Sequence, residues 1–177
     1  LPEERTEAFG LFVDWLYRGT VPLVASQHHL ERLFHLYVFA ERLCMEQLAN
    51  KTMDKIWEMC TLYAAAKTTP PMVASVFRST FVDSPLRKWA LEDLAHGLDL
   101  NNGSGIPDDE TSEAFRELCK ESDNFFEAYL RHMRANVIDG LPDPRESESL
   151  CDYHRHGRGE VCYLGASDAT NTMIWMA

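Results

Sequence analysis

Two stretches decide the fold: AFGLFVDWLYRG, Ala8 to Gly19, and LFHLYVFAERLCMEQLANKTMDKI, Leu33 to Ile56. In the first, Phe9, Phe12, Val13 and Leu16 recur at the spacing of one helix face, and Trp15 and Tyr17 widen the stripe. Thr6 is the expected cap of this helix and Gly19 its stop. Thr20 to His28 reads as a loop, because Pro22 blocks continuation; His28 and His29 then belong to a solvated loop ahead of the next helix. That helix, about Leu30 to Leu43, has one face of Leu33, Phe34, Tyr37 and Ala40 and another of Leu36, Phe39 and Leu43. A helix apolar on two sides is covered on two sides, which puts it at the centre of its domain. A third helix starts at Glu46 and carries Leu48, Ala49, Met53, Ile56, Trp57 and Cys60 at helical spacing. It frays over Ala64 to Ala66 and ends before Pro70.

Beyond this point the helices are shorter. Pro71 to Phe81 is one; Ser84-Pro85 starts another over Leu86 to His96, closed by Gly97. NNGSGIP, Asn101 to Pro107, is a turn-rich connector. Thr111 or Ser112 caps the last long helix, with a stripe of Phe115, Leu118, Cys119, Ser122, Phe126, Tyr129, Leu130 and Met133. From Gly140 the helical period is lost, and Pro142 and Pro144 introduce a polar tail. No internal repeat and no alternating run long enough for a strand is present. The expected fold class is therefore all-α, in three segments: 1–66, a further helical segment 67–136, and a Cys/His-bearing tail 137–177.

With 45% hydrophobic residues in 177, the chain can bury a core. A formal charge of -11 repels phosphate, and the richest basic cluster, Arg155, His156 and Arg158, is small and offset by Glu160; nucleic acid is not an expected partner. No apolar run reaches the ~18 residues of a membrane span. The charged start LPEERTE is no signal peptide, and a chain beginning at Leu1 rather than Met reads as a fragment or a processed product. Five cysteines, an odd number with no secretory signal, point to a reducing compartment and so to the cytoplasm or nucleus. Cys44, Cys60 and Cys119 fall on apolar stripes, where burial raises a thiol's pKa and makes it inert. Neither a Gly-x-Ser-x-Gly elbow nor a glycine-rich phosphate loop occurs, so no enzymatic activity is expected. The aromatic stripe of Phe9, Phe12, Trp15 and Tyr17 reads as core.

One constellation has chemical character. In CDYHRHGRGEVCY, Cys151, His154, His156 and Cys162 are spaced C-x2-H-x-H-x5-C. Thiolate and imidazole are the ligands tetrahedral zinc prefers, Gly157 and Gly159 permit a reversal before the last one, and metal binding supplies folding energy to a segment poor in apolar residues. Against this, two histidines only two residues apart are awkward ligands for one ion. The alternative is a disordered tail with free, solvated side chains.

The helical half resembles the BTB/POZ family. Tyr17-Arg18-Gly19 is similar to the Tyr-x-Gly turn that ends a helix in that domain. Leu36-Tyr37-Val38-Phe39-Ala40-Glu41-Arg42 and Leu48-Ala49-Asn50 are similar to its Leu-Tyr-x-x-Ala-acidic-basic and Leu-x-Asn elements. VFRSTFVDSPLRKW, with Ser84-Pro85-Leu86-Arg87, resembles the region that follows the domain in fungal members. The likeness covers about Pro2 to Trp89 and only the family's C-terminal helical half; the strand pair, two helices and third strand that precede it there, and carry most of the dimer interface, are not matched. The resemblance implies a non-enzymatic protein-interaction module, partnered by itself or by other proteins, and an adaptor for a cullin-type ubiquitin ligase. It places partner binding near the loop after the Tyr-x-Gly turn, here Thr20 to His29, with Val21, Leu23 and Val24 as anchors; the alternative is that these three cover the module's own core. A second class of function, a small zinc-binding structural or regulatory protein acting through its tail, rests on Cys151, His154, His156 and Cys162.

Overall fold

The computed structural model describes residues 3–63, 66–99, 108–147, 150–157 and 160–164. Among them are seven α-helices: α1 Glu3–Arg18, α2 Gln27–Arg42, α3 Glu46–Leu62, α4 Pro70–Ser79, α5 Pro85–Leu98, α6 Asp109–Glu121 and α7 Asp123–Ala135. Two 3-10 turns follow, Pro144–Glu146 and Leu150–Tyr153, and no strand occurs among the described residues. The all-α expectation holds. No helix among these residues is long and apolar enough to cross a membrane. The connector Asn101 to Pro107 lies outside the described residues, as do Ala64, Ala65, Arg158 and Gly159.

As its two apolar sides require, α2 is central. It packs on α1, α3 and α4, and Leu30, Leu33, Leu36, Tyr37 and Ala40 are fully buried. It starts earlier than Leu30, because Ser26 is an N-cap whose hydroxyl accepts the His29 N–H. His29 is accordingly buried in the first turn, its Nε2 3.0 Å from the Pro22 carbonyl, and not in a solvated loop. Cys44 also departs from expectation. It is exposed, at φ +53, in the tight turn joining α2 to α3. Cys60 is buried, and desolvation drives its thiol pKa up.

The first helix begins at Glu3, so Thr6 lies inside it rather than capping it. Gly19 ends it at φ +69, the left-handed conformation a helix stop needs. Its core contacts come from Ala8 and Leu11, with the Phe12 ring tilted against Phe39 of α2 at 5.2 Å between centroids. Phe9 and Leu16, expected on the inner face, are half exposed, and Tyr17 is 87% exposed.

Where one last long helix was expected, there are two. Ser122 leaves helical geometry at φ -137 and ψ 92, and its hydroxyl caps α7 by accepting the Phe125 N–H. The break shifts the phase of the apolar stripe. Phe125, not Phe126, is fully buried, set edge-on to Phe77 of α4 at 5.3 Å and to Phe115 of α6 at 6.0 Å; Phe126 and Leu130 are left exposed. The α6–α7 pair packs on α4 and α5. Ser122→Ala removes the cap, and the expected cost is about 1 kcal/mol in a urea unfolding curve.

Between α4 and α5, Arg87 satisfies carbonyls left open at the end of α4, donating to Phe77 O at 2.5 Å, Thr80 O at 2.6 Å and Thr80 Oγ1 at 2.9 Å. A single apolar cluster runs from Leu11 through Leu118 and Phe125 to Tyr153, drawing on all three segments.

Candidate metal centre

The tail returns across α5 and α3 through side chains spread along it. Arg145 pairs with Asp143 at 2.7 Å and approaches buried Asp93 of α5 at 3.8 Å. Desolvation of Asp93 raises its carboxyl pKa above the usual range despite that cation. Tyr153 is buried edge-on to Trp89 at 5.2 Å and donates its hydroxyl to Glu92 at 2.7 Å. Arg155 reaches buried Glu41 of α2 at 2.7 Å. The described residues of the tail are therefore docked, and their Cys and His side chains lie against the helical body.

Asn50 and Asp54, one turn apart on α3, form the cradle for the Cys/His residues. Asn50 donates to the Arg155 carbonyl and accepts the Arg155 N–H, both at 2.8 Å. An amide side chain thus pairs with the tail backbone as a neighbouring strand would, at the residue between the two histidines. Asp54 accepts from the Tyr163 hydroxyl at 2.5 Å and lies 3.0 Å from His154 Nε2. Lys51, also on α3, sits 3.7 Å from Asp54 and 3.8 Å from the centroid of the Tyr163 ring. Beyond the histidines Gly157 and Glu160 are joined by two bonds, Gly157 N–H to the Glu160 carboxylate at 2.9 Å and Glu160 N–H to Gly157 O at 3.0 Å.

On this cradle Cys151, His156 and Cys162 present donor atoms that all lie within 4.8 Å of one another. The group could hold a metal ion. Cys151 Sγ is 3.2 Å from His156 Nε2. His154 stands beside the triangle, its Nδ1 3.4 Å from Cys162 Sγ. The two imidazoles, 5.9 Å apart and inclined at 72°, are splayed rather than stacked, and only His156 belongs to the group.

The electrostatics separate the two thiols. Burial pushes Cys151 up, and the neighbouring Cys162 adds to that. Burial acts the same way on Cys162, but His154, the Leu164 backbone and Cys151 outweigh it and bring the thiol below its ordinary value. For His154, desolvation favours the neutral ring, and Asp54 and Cys162 overcome it to raise the pKa. Stabilising one thiolate in a pocket of imidazoles is the chemistry a soft divalent cation requires of its ligands.

Of the four expected metal residues, Cys151, His156 and Cys162 come together, and His154 lies outside that group, in contact with Cys162. Asn50, Asp54 and Tyr163 were not expected at the site; polar residues on a helix face carry no sequence signal distinguishing a cradle from a solvated surface. The expected partner loop divides. Val21 is 4% exposed and belongs to the core, Leu23 packs partly buried against it, and Val24 is 54% exposed. Only Val24 presents an open apolar surface there. Comparison with protein-family models, with curated proteins and with solved structures finds no match in any of the three, so the BTB/POZ likeness rests on the residues that carry it.

Proposed function

We propose that this chain is a non-enzymatic protein-interaction module of the BTB/POZ type, with its tail fixed to the helical body by a structural zinc ion. The observation that supports the interaction role is the excess of apolar surface on α1. That helix is apolar on two sides, and α2 is its main packing partner. Phe9 and Leu16, two turns apart on the same side, are 50% and 55% exposed, and Tyr17 is still more open. Large aromatic and aliphatic side chains clustered on one exposed face suit a hydrophobic protein partner. A polypeptide seated there would bury the side chains that dominate interface energetics.

The test is light scattering on the purified chain together with binding of a dye that recognises apolar surface. Self-association or strong dye binding is expected, and Leu16→Asp should remove it while leaving the unfolding free energy within about 0.5 kcal/mol of wild type. A monodisperse monomer that binds no dye contradicts the proposal. Recruitment of a cullin-type scaffold is the narrower form of the reading. Val24→Asp probes it without disturbing the core, and co-purification that survives the change removes this loop from the assignment.

The second reading, a zinc-stabilised structural or regulatory protein acting through its tail, draws its support from the Cys151–His156–Cys162 triangle. Removing residues 140–177 separates the two. Partner binding that outlasts the loss of metal favours the interaction module; loss of both favours the tail.

A further inference from the structure

We infer that the metal centre takes four ligands, with His154 Nδ1 completing Cys151 Sγ, His156 Nε2 and Cys162 Sγ, and that Asp54 of α3 is the outer carboxylate that orients His154. The inference rests on the reading of this group as a metal site and deepens it.

The argument starts at Asp54. A carboxylate only accepts, so the 3.0 Å approach of His154 Nε2 assigns that nitrogen the proton. Nδ1 is then the nitrogen left to serve a metal, and it faces Cys162 Sγ at 3.4 Å. This is the arrangement of a carboxylate–histidine–metal triad, in which the outer carboxylate fixes the tautomer and increases the basicity of the ligand. Asp54 is itself held, by the Tyr163 hydroxyl and by Lys51. The His154 ring lies along Tyr163, 5.4 Å between centroids and 24° between planes, which fixes its rotation.

The spacings agree. Zinc bonds of about 2.3 Å to sulfur and about 2.0–2.1 Å to nitrogen, opened to the tetrahedral angle, give a sulfur–nitrogen edge of about 3.5 Å. The two observed edges are 3.2 Å and 3.4 Å. One thiolate and one imidazole form each edge. His154 lies outside the group whose donor atoms are all within 4.8 Å of one another, so on this inference its ring closes onto the ion from the Cys162 side when metal binds.

A consequence follows for the fold. Asp54 belongs to α3 and His154 to the tail, so metal held by His154 is coupled to docking of the tail on the helical body. Asn50, one turn earlier, pins the intervening Arg155 backbone to the same helix. The centre is then a fastener between distant parts of the chain rather than a self-contained knuckle.

The experiment is a cobalt(II) titration of the full untagged chain, followed by visible absorption, for wild type, His154→Gln and Asp54→Asn. Wild type should give tetrahedral d–d bands with thiolate charge transfer. Asp54→Asn should keep the band shape and lose about 10–100-fold in affinity, because the carboxylate tunes a ligand without being one. His154→Gln should change the band shape itself. Zinc-edge X-ray absorption of the wild type, which does not depend on any variant folding, should count two sulfurs and two nitrogens. Wild type that takes up no cobalt removes the metal reading underneath. Cobalt bound by wild type with one nitrogen, or with an unchanged His154→Gln spectrum, overturns the fourth ligand alone. Equal affinity in Asp54→Asn overturns the role of Asp54.

Discussion

Replacing Cys162 with serine is expected to abolish stoichiometric zinc binding and to lower the melting temperature by roughly 10 °C. Cys162 supplies one corner of the donor triangle and is itself buried. Metal that binds only the folded chain stabilises by mass action, by about 4 kcal/mol when free zinc is a thousandfold above the dissociation constant. In a chain of this length each kcal/mol moves the midpoint by about 2–4 °C. A strong chelator added to wild type should reproduce the fall without any mutation, and added to Cys162→Ser it should do nothing more. Differential scanning calorimetry with and without chelator reads both. A wild-type midpoint indifferent to chelation would mean that no metal holds the tail.

The second large effect is expected at Trp89. It is fully buried on α5 and meets Tyr153 of the tail edge-on at 5.2 Å. Its indole N–H has no hydrogen-bond partner among the described residues, so its contribution is packing. Trp89→Ala opens a cavity between α5 and the tail and should cost about 3–5 kcal/mol, a large part of the stability of an ordinary domain. Trp89→Phe keeps a ring against Tyr153 and should cost much less. Combined with Tyr153→Leu, a double-mutant cycle should return a coupling of about 0.5–1.5 kcal/mol for the aromatic pair. Urea unfolding measures all of these, and a Trp89→Ala midpoint close to wild type would contradict the docked position of the tail.

What was legible in the sequence was what local rules encode. The helical period identified α2 as central from Leu33, Phe34, Leu36 and Tyr37, and Gly19 and Ser84-Pro85 marked boundaries that the structure keeps. Errors arose where a single polar side chain overrides the period. Ser26 starts α2 early by capping it, and Ser122 splits one expected helix into α6 and α7, turning Phe125 inward in place of Phe126. For α1, periodicity identified an apolar face but not which side of it meets α2. Leu11 took the buried position, and Phe9 and Leu16 were left open.

The candidate metal residues were legible because zinc constrains ligand type and spacing within a short segment; the structure groups Cys151, His156 and Cys162 and leaves His154 beside them. Their cradle was not. Asn50 and Asp54 precede the histidines by about a hundred residues, and nothing local in a polar helix face foretells such a pairing. Nor does the tail's composition foretell that Tyr153 finds Trp89, since a lone tyrosine among prolines and serines has no period to read. Docking came from a few well-placed long-range contacts rather than from a sustained apolar stripe.

Native mass spectrometry of the chain purified without a histidine tag and supplied with zinc tests the central claim most directly. One zinc per chain, lost together with protection of the tail from protease when Cys151 and Cys162 are replaced by serine, is the predicted result. A metal-free mass under those conditions, with the tail equally protected in wild type and variant, would contradict it.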